Sequence, residues 1–97
     1  MKPSNLTEIN RAFTEQAAGF ESEKLHLSKQ EYLDYTVRMT APQKTDTVLE
    51  VAAGTCVCGR NIAPYAGHVI CLDATPAMLE IGRAECEKAG IGNISFI

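Results

Sequence analysis

The sequence predicts an α/β domain in which two helices precede a three-stranded parallel sheet. Residues 46–97 alternate between short apolar runs and segments with helical spacing, in the order strand–helix–strand–helix–strand. Right-handed crossovers then place the strands in the order 3-2-1. The chain has 97 residues, 45% of them apolar, which is enough for one small core. We therefore divide it into a helical lead-in, residues 1–44, and a sheet-forming part, residues 45–97.

The two leading helices are predicted from apolar spacing and from capping patterns. The first follows the pattern "NLTE", and its apolar residues recur at helical spacing. These residues are Leu6, Ile9, Phe13, Ala17 and Phe20. We expect Phe13 and Phe20 to pack in the core. The second helix begins at the capping box "SKQE", residues 28–31, and ends near Thr40, because Pro42 disfavours helical backbone just before it.

The strands are predicted from continuous apolar runs. Residues 45–53, "TDTVLEVAA", are apolar from the fourth residue onward except for Glu50, which is typical of a strand buried on both faces. A short helix over residues 58–66 leads to a second strand, "HVICLD". Thr75 and Pro76 then predict the N-cap and first residue of another helix, which Gly90 ends. The segment "NISFI" predicts the third strand.

Composition and charge exclude several classes of function. The net charge is -3, and no cluster of Lys and Arg is interleaved with aromatic residues, so we expect no nucleic-acid partner. The N-terminus is polar and lacks the apolar stretch of a secretory signal, and no window reaches the ~20 apolar residues that span a bilayer. We therefore expect a cytoplasmic protein without a membrane partner, whose four cysteines are reduced.

The stretch "LEVAAGTCVCGR", residues 49–60, forms a small-residue turn between a strand and a helix, and several ligands use turns of this kind. A nucleoside-triphosphate loop requires the pattern G-x-x-x-x-G-K-[ST]. Gly54 and Gly59 have its spacing, but Arg60 and Asn61 occupy the positions of the functional lysine and hydroxyl residue. This alternative loses both side chains that the chemistry needs.

Two other ligands fit the turn less completely. A dinucleotide site requires G-x-G-x-x-G, but only Gly54 matches, since Ala52 and Val57 take the other positions. Asp73 stands where a ribose-binding acid is expected, a feature that nicotinamide and adenosyl cofactors share. The spacing of the four cysteines differs from that of structural zinc sites, so buried thiols are the better interpretation and no metal is expected. The cysteines are Cys56, Cys58, Cys71 and Cys86.

From about Asp46 to Ile97 the chain resembles the class I S-adenosylmethionine-dependent methyltransferases, especially the branch that includes ubiquinone- and menaquinone-biosynthesis enzymes. The segments that carry the resemblance are "VLEVAAGTC", "VICLDATPAML" and "GIGNISFI", and "AFTEQAAGF" is similar to the branch's lead-in helix. The resemblance implies a Rossmann-like, doubly wound fold in truncated form. It also implies S-adenosylmethionine as cofactor and methyl transfer to a small-molecule acceptor.

The resemblance also implies a set of cofactor-binding residues. Backbone amides of the turn and the following helix start would receive the carboxylate end of the cofactor, with Glu50 near its amino-acid part. Asp73 would accept hydrogen bonds from both ribose hydroxyls, and Ala74 and Met78 would border the adenine. The complete set is Glu50, Ala52, Gly54, Thr55, Cys56, Asp73, Ala74 and Met78. No catalytic residue is assigned.

The chain departs from the family at Cys56, where a glycine is usual. A cysteine there places a sulfur where the backbone approaches the ligand, and a positive φ would cost about 1 kcal/mol or more. The family fold also continues past the third strand into the walls that align the acceptor. We therefore expect that this chain alone does not turn over.

The predicted strand order leaves the first strand at the edge of the sheet. Its apolar residues would then expose unpaired backbone groups, so we expect a homo-oligomer formed through this edge or by exchange of strands or helices. Two alternative functions stay open. One is a non-catalytic, self-associating or nucleotide-binding remnant, and the other is a nicotinamide dinucleotide-binding domain.

Overall fold

The computed structural model describes residues 3–20 and 30–97 and confirms the α/β class. The elements in chain order are α1 Pro3–Phe20, α2 Gln30–Thr40, β1 Thr47–Val51, α3 Val57–Ile62, β2 His68–Leu72, α4 Pro76–Ala89 and β3 Ile94–Phe96. A 3-10 turn over Ala63–Tyr65 extends α3. Across these ranges, none of the helices has the length and apolar character needed to cross a membrane.

The three strands form one parallel sheet in the order β1-β2-β3, which is the predicted order read from the other edge. Thr47 lies beside His68, and Val69 lies beside Ile94. Each strand is short, and the two crossovers each carry one helix, as parallel pairing requires. Since parallel strands end at the same edge of a sheet, the loops after β1 and β2 lie next to each other.

The core lies on the face of the sheet that α3 and α4 cover. Ile62 from α3 and Cys86 from α4 pack in one buried cluster with Val69 and Cys71 of β2. Val48, Ile94 and Phe96 contact the same cluster from the flanking strands. Both crossover helices therefore pack on one side of the sheet, as two right-handed crossovers in the same direction require.

The opposite side of the sheet is exposed among the described residues, and we call it the open face. It comprises Leu49, Val51, Leu72 and Ile97, which are 59%, 66%, 38% and 65% exposed. The prediction that β1 is buried on both faces is therefore wrong for this structure. A continuous apolar run shows that both faces of a strand can be covered, but it does not show what covers them.

The ends of α3 and α4 follow from single residues. Thr75 is the N-cap of α4, Pro76 its first residue, and Gly90 its C-cap at φ +70°, all as predicted. α3 is shorter than the predicted helix over residues 58–66. The chain tightens into the 3-10 turn at Ala63–Tyr65, where Pro64 lacks the N–H that a continuing α-helix needs.

The leading helices differ from prediction at three points. α1 begins at Pro3, so Asn5 lies inside the helix rather than at its cap. Phe13 is 44% exposed, so its assignment to the core is wrong; α1 packs on α4 at the surface rather than on the sheet. The side chain of Phe20 and the predicted cap Ser28 lie outside the described residues. α2 ends at Thr40 as predicted.

A tight contact between α4 and the loop after β1 depends on Gly82. A Cβ atom on Gly82 would lie 2.6 Å from the carbonyl oxygen of Thr55. Real Cβ atoms do not approach a backbone oxygen so closely. Only glycine therefore allows α4 to pack against this loop at the observed distance.

We predict that Gly82→Ala lowers the free energy of unfolding by about 1–3 kcal/mol, because the helix or the loop must move apart. At an ordinary helix position the same change would stabilise by about 1 kcal/mol. Urea unfolding measures the difference. Gly92→Ala is the control, since a Cβ there meets open space. Equal stability of Gly82→Ala and the parent chain would contradict the close approach.

Candidate functional site

The loop that joins β1 to α3 has left-handed backbone at alternate residues. Ala52, Gly54 and Cys56 have φ values of +55°, +59° and +65°. Left-handed backbone costs an L-residue roughly 1–2 kcal/mol, and glycine avoids the cost. Position 56 therefore has the positive φ whose cost was considered from the sequence, and Ala52 carries the same strain.

The side chain of Cys56 does not stand on the ligand side of this loop, contrary to the sequence-based expectation. It is 0% exposed and packs in the core cluster. Its thiol donates to the carbonyl oxygen of Gly54 at 3.7 Å. The neighbouring Cys71 thiol, followed by burial, raises the pKa of Cys56, and burial raises the pKa of Cys86. Thiols of this kind stay protonated and behave as small apolar groups.

Asp73 joins the loop after β1 to the loop after β2. One carboxylate oxygen accepts a hydrogen bond from the Gly54 N–H at 2.7 Å, and the other accepts one from the Thr75 N–H at 2.9 Å. The Ala53 N–H also donates to the Leu72 carbonyl at 3.0 Å. Asp73 is half-buried and lies directly after β2, at the carboxyl end of the sheet.

Glu50 holds the same loop from the core side. One of its carboxylate oxygens accepts hydrogen bonds from the Gly59 N–H at 2.9 Å and from the Cys71 thiol at 3.8 Å. Burial raises the pKa of Glu50, and the bond from Gly59 opposes this shift in part. A Cβ atom on Gly59 would lie 2.9 Å from that oxygen and 2.8 Å from the Cys71 sulfur. A side chain at position 59 would therefore force Glu50 or Cys71 to move.

Thr55 lies at the centre of the loop and is fully buried. Its carbonyl oxygen accepts a hydrogen bond from Nε of Arg60 at 3.2 Å and also faces Gly82. Its hydroxyl has no hydrogen-bond partner among the described residues. Sequence reasoning did not assign Gly59, Arg60 or Gly82 to the site. The available signal was Gly82 itself, because an isolated glycine inside a helical pattern often has a packing reason.

The eight residues implied by resemblance divide into two groups by exposure. Five lie at least partly exposed at the carboxyl end of the sheet: Glu50, Ala52, Gly54, Asp73 and Ala74. The side chains of Thr55, Cys56 and Met78 are buried. Met78 is only 2% exposed and belongs to the packing of α4, so its side chain does not reach the surface beside Ala74. The two β-strand ends that the sequence paired, at Gly54 and Asp73, are in direct contact.

Residues 20–97 match the ubiE/COQ5 methyltransferase family. The chain belongs to this family. It is 32% identical over 63 residues to the ubiquinone/menaquinone biosynthesis C-methyltransferase of Zymomonas mobilis, covering 65% of this chain and 26% of that protein. It is 37% identical over 57 residues to a 23S rRNA uracil methyltransferase of Marinomonas posidonica, covering 59% of this chain and 13% of that protein.

Solved structures share the fold. DhpI, solved as a complex with SAM, superposes on all of this chain and on 44% of its own length, with a TM-score of 0.68 and 20% identity. At that identity the likeness establishes the fold. The ubiE/COQ5-type chain spans about a quarter of the length of the curated quinone-pathway relative that it matches.

We predict that Ala52→Gly raises the free energy of unfolding by about 0.5–1 kcal/mol. Glycine removes the left-handed strain, while its greater freedom in the unfolded chain offsets part of the gain. Ala84→Gly, the same change at an exposed position of α4, should lower stability by about 1 kcal/mol. Urea unfolding of both variants checks the opposite signs. Loss of stability in Ala52→Gly would contradict the strained loop.

We predict that ionisation of Glu50 destabilises the fold as pH rises. The pKa of Glu50 is raised by burial from its ordinary value of 4.5. A raised pKa stabilises the protein below the unfolded value, and this contribution is lost as pH rises through the folded value. Glu50→Gln should therefore gain stability relative to the parent chain between pH 4.5 and neutrality, as measured by urea unfolding across that range.

Glu50→Ala provides the matched control for this pH series. It removes the same ionisation, but it also leaves the Gly59 N–H without its acceptor. Both variants should show the same altered pH slope, whereas Glu50→Ala alone should be less stable at every pH. Parallel pH profiles for Glu50→Gln and the parent chain would contradict the raised pKa.

Proposed function

We propose that this ubiE/COQ5-type chain binds S-adenosylmethionine at the carboxyl ends of β1 and β2 and serves methyl transfer to a small-molecule acceptor. The observation that carries the proposal is the contact between Asp73 and the Gly54 N–H at 2.7 Å. This contact joins the acid after β2 to the turn after β1. Family membership supports the same assignment.

The free acceptor capacity of Asp73 fits a ribose. An ionised carboxylate offers about four acceptor positions, and backbone N–H groups occupy one on each oxygen. The remaining positions suit two adjacent hydroxyl donors. Ala52, in the loop after β1, and Ala74, directly after Asp73, are both exposed, and their small side chains leave room for a ligand at the strand ends.

The remaining site residues orient the loop. The cofactor, when bound, supplies a methyl group on a positively charged sulfur. Glu50 fixes the start of α3 through the Gly59 N–H, and Gly54 presents backbone without a side chain. Catalysis of direct methyl displacement depends largely on alignment of the acceptor. We propose that the residues that align it lie outside this chain, so that the chain binds cofactor without turnover.

The class of acceptor and the cellular setting form part of the proposal. A small-molecule acceptor is favoured by the match to the quinone-pathway enzyme, and the net charge of -3 disfavours nucleic acid. Because the chain also matches an rRNA enzyme, RNA is the alternative acceptor that experiments should compare with a small molecule. The four cysteines are free thiols, which fits a reducing, cytoplasmic compartment.

Self-association is a further part of the proposal. Among the described strands, β1 lies at one edge of the sheet, and Leu49 and Val51 on it are exposed. Unpaired edges and apolar patches of this kind favour association with another chain. We propose that copies of the chain associate through β1, or by exchange of strands or helices.

We predict by calorimetry that the chain binds S-adenosylmethionine and S-adenosylhomocysteine but not a nicotinamide dinucleotide. Asp73→Asn should weaken binding at least about tenfold, because one charged acceptor becomes a donor. Binding of the dinucleotide alone would support the nicotinamide alternative. Absence of all binding would support a non-catalytic remnant.

Asp46→Asn is the matched control for Asp73→Asn. Asp46 also accepts a backbone N–H, from Gln43 at 2.8 Å, but it precedes β1 at the opposite end of the strand. The substitution therefore changes a comparable contact far from the proposed site, and cofactor affinity should be unchanged. Equal weakening by both variants would show that the effect is not specific to the ribose position.

A further inference from the structure

The peptide group between Thr55 and Cys56 is held by hydrogen bonds at both ends. Its carbonyl oxygen accepts a hydrogen bond from Nε of Arg60, in α3, at 3.2 Å. The same oxygen faces Gly82 of α4, where a Cβ atom would lie 2.6 Å away. The N–H of the peptide donates to the Ala53 carbonyl at 2.9 Å. The orientation of this peptide is therefore fixed by groups of the protein itself, with the carbonyl turned toward the helices.

This orientation keeps Cys56 in the left-handed region of backbone conformation. Its φ is +65°, which costs an L-residue free energy that glycine does not lose. Rotation of a planar peptide group changes ψ of the residue before it and φ of the residue after it. A half-turn of the Thr55–Cys56 peptide would therefore bring Cys56 back to a negative φ and relieve the strain. The loop keeps the strained orientation because the hydrogen bonds to the peptide oppose that rotation.

Arg60 holds this peptide with its side chain. Its own N–H donates to the Cys56 carbonyl at 2.8 Å, so the side chain starts one helical turn from the peptide that it holds. Arg60 is half-buried, and a charged donor makes a hydrogen bond stronger than a neutral one does. Burial raises the pKa of Glu50, and the charge of Arg60 opposes this shift together with the bonds from Gly59 and Cys71. Arg60 therefore lies close to both the strained peptide and Glu50.

We propose that Arg60 is a positioning residue for the cofactor, because it holds the Thr55–Cys56 peptide with its carbonyl turned toward the helices. This inference rests on the cofactor site proposed above and adds a residue to it. Rotation of the peptide would turn the Thr55 carbonyl oxygen away from α3 and α4. The cofactor carries a carboxylate, and the loop would then present an outward carbonyl oxygen, which repels negative charge. Arg60 therefore raises cofactor affinity through the backbone of the loop.

Calorimetric titration with S-adenosylhomocysteine tests the hydrogen bond. Arg60→Met has no donor and should weaken binding at least about tenfold. Arg60→Gln has an N–H donor at the same distance along the side chain as Nε of Arg60, so it should recover at least about threefold of that loss. Arg38→Met is the matched control at an exposed arginine of α2, and its affinity should stay within about twofold of the parent chain. Equal loss in Arg60→Met and Arg60→Gln, or in Arg60→Met and Arg38→Met, would overturn the proposal.

A double substitution tests the link between Arg60 and the strain at Cys56. Cys56→Gly removes the cost of left-handed backbone, so rotation of the peptide no longer relieves strain. In this background Arg60→Met should weaken binding by no more than about threefold, against at least about tenfold in the parent chain. Equal losses in the two backgrounds would overturn the role of Arg60 in opposing the strain. Urea unfolding of the same samples shows that each variant is folded.

NMR spectra of the isotope-labelled chain without cofactor separate this inference from the cofactor proposal. Arg60→Met should shift the signals of the Thr55 carbonyl carbon and the Cys56 amide nitrogen. It should also raise the three-bond coupling between the amide and α protons of Cys56, which reports φ. Unchanged signals and coupling would overturn the role of Arg60, whether or not the chain binds cofactor. If they change but the parent chain does not bind S-adenosylhomocysteine, the hold on the peptide stands and the cofactor proposal fails.

Discussion

The arrangement of the candidate site depends on one carboxylate, that of Asp73. Its two oxygens accept the N–H groups of Gly54 and Thr75, so the loops after β1 and β2 are tied at one point. Parallel pairing brings the two strand ends to the same edge, and Asp73 fixes how the loops lie there. A charged acceptor makes each bond stronger than a neutral one would be. The protein's own hydrogen bonds therefore hold the loop geometry.

The loop also depends on backbone contacts that leave no space for side chains. Gly59 lets α3 approach Glu50, and Gly82 lets α4 approach the carbonyl of Thr55. Left-handed strain at Ala52 and Cys56 is the cost of the sharp turn. At Cys56 burial of the side chain in the core opposes that cost, because a buried thiol contributes packing that glycine would not. This explains physically how a cysteine can occupy a left-handed backbone position, where glycine would avoid the strain.

The sequence predicted the elements and their order because these follow from local signals. The sheet follows from three signals: the spacing of the apolar residues, the helix caps at Thr75 and Gly90, and the right-handed crossovers. The pairing of Gly54 with Asp73 was predictable for the same reason, since both follow parallel strands. The exposure of Phe13 was not predictable. It depends on how α1 is rotated against its neighbours, which its own apolar spacing does not determine.

Strand β1 belongs to both the candidate site and the proposed self-association, and its alternation keeps the two roles separate. The side chains of Val48 and Glu50 face the core, and their backbone groups bond to β2. Thr47, Leu49 and Val51 direct their side chains away from the core and their backbone groups away from β2. Pairing at the edge therefore leaves the contact between Glu50 and Gly59 unchanged. Because the strand period is two residues, one short strand can position a ligand loop on one side and bind a second copy on the other.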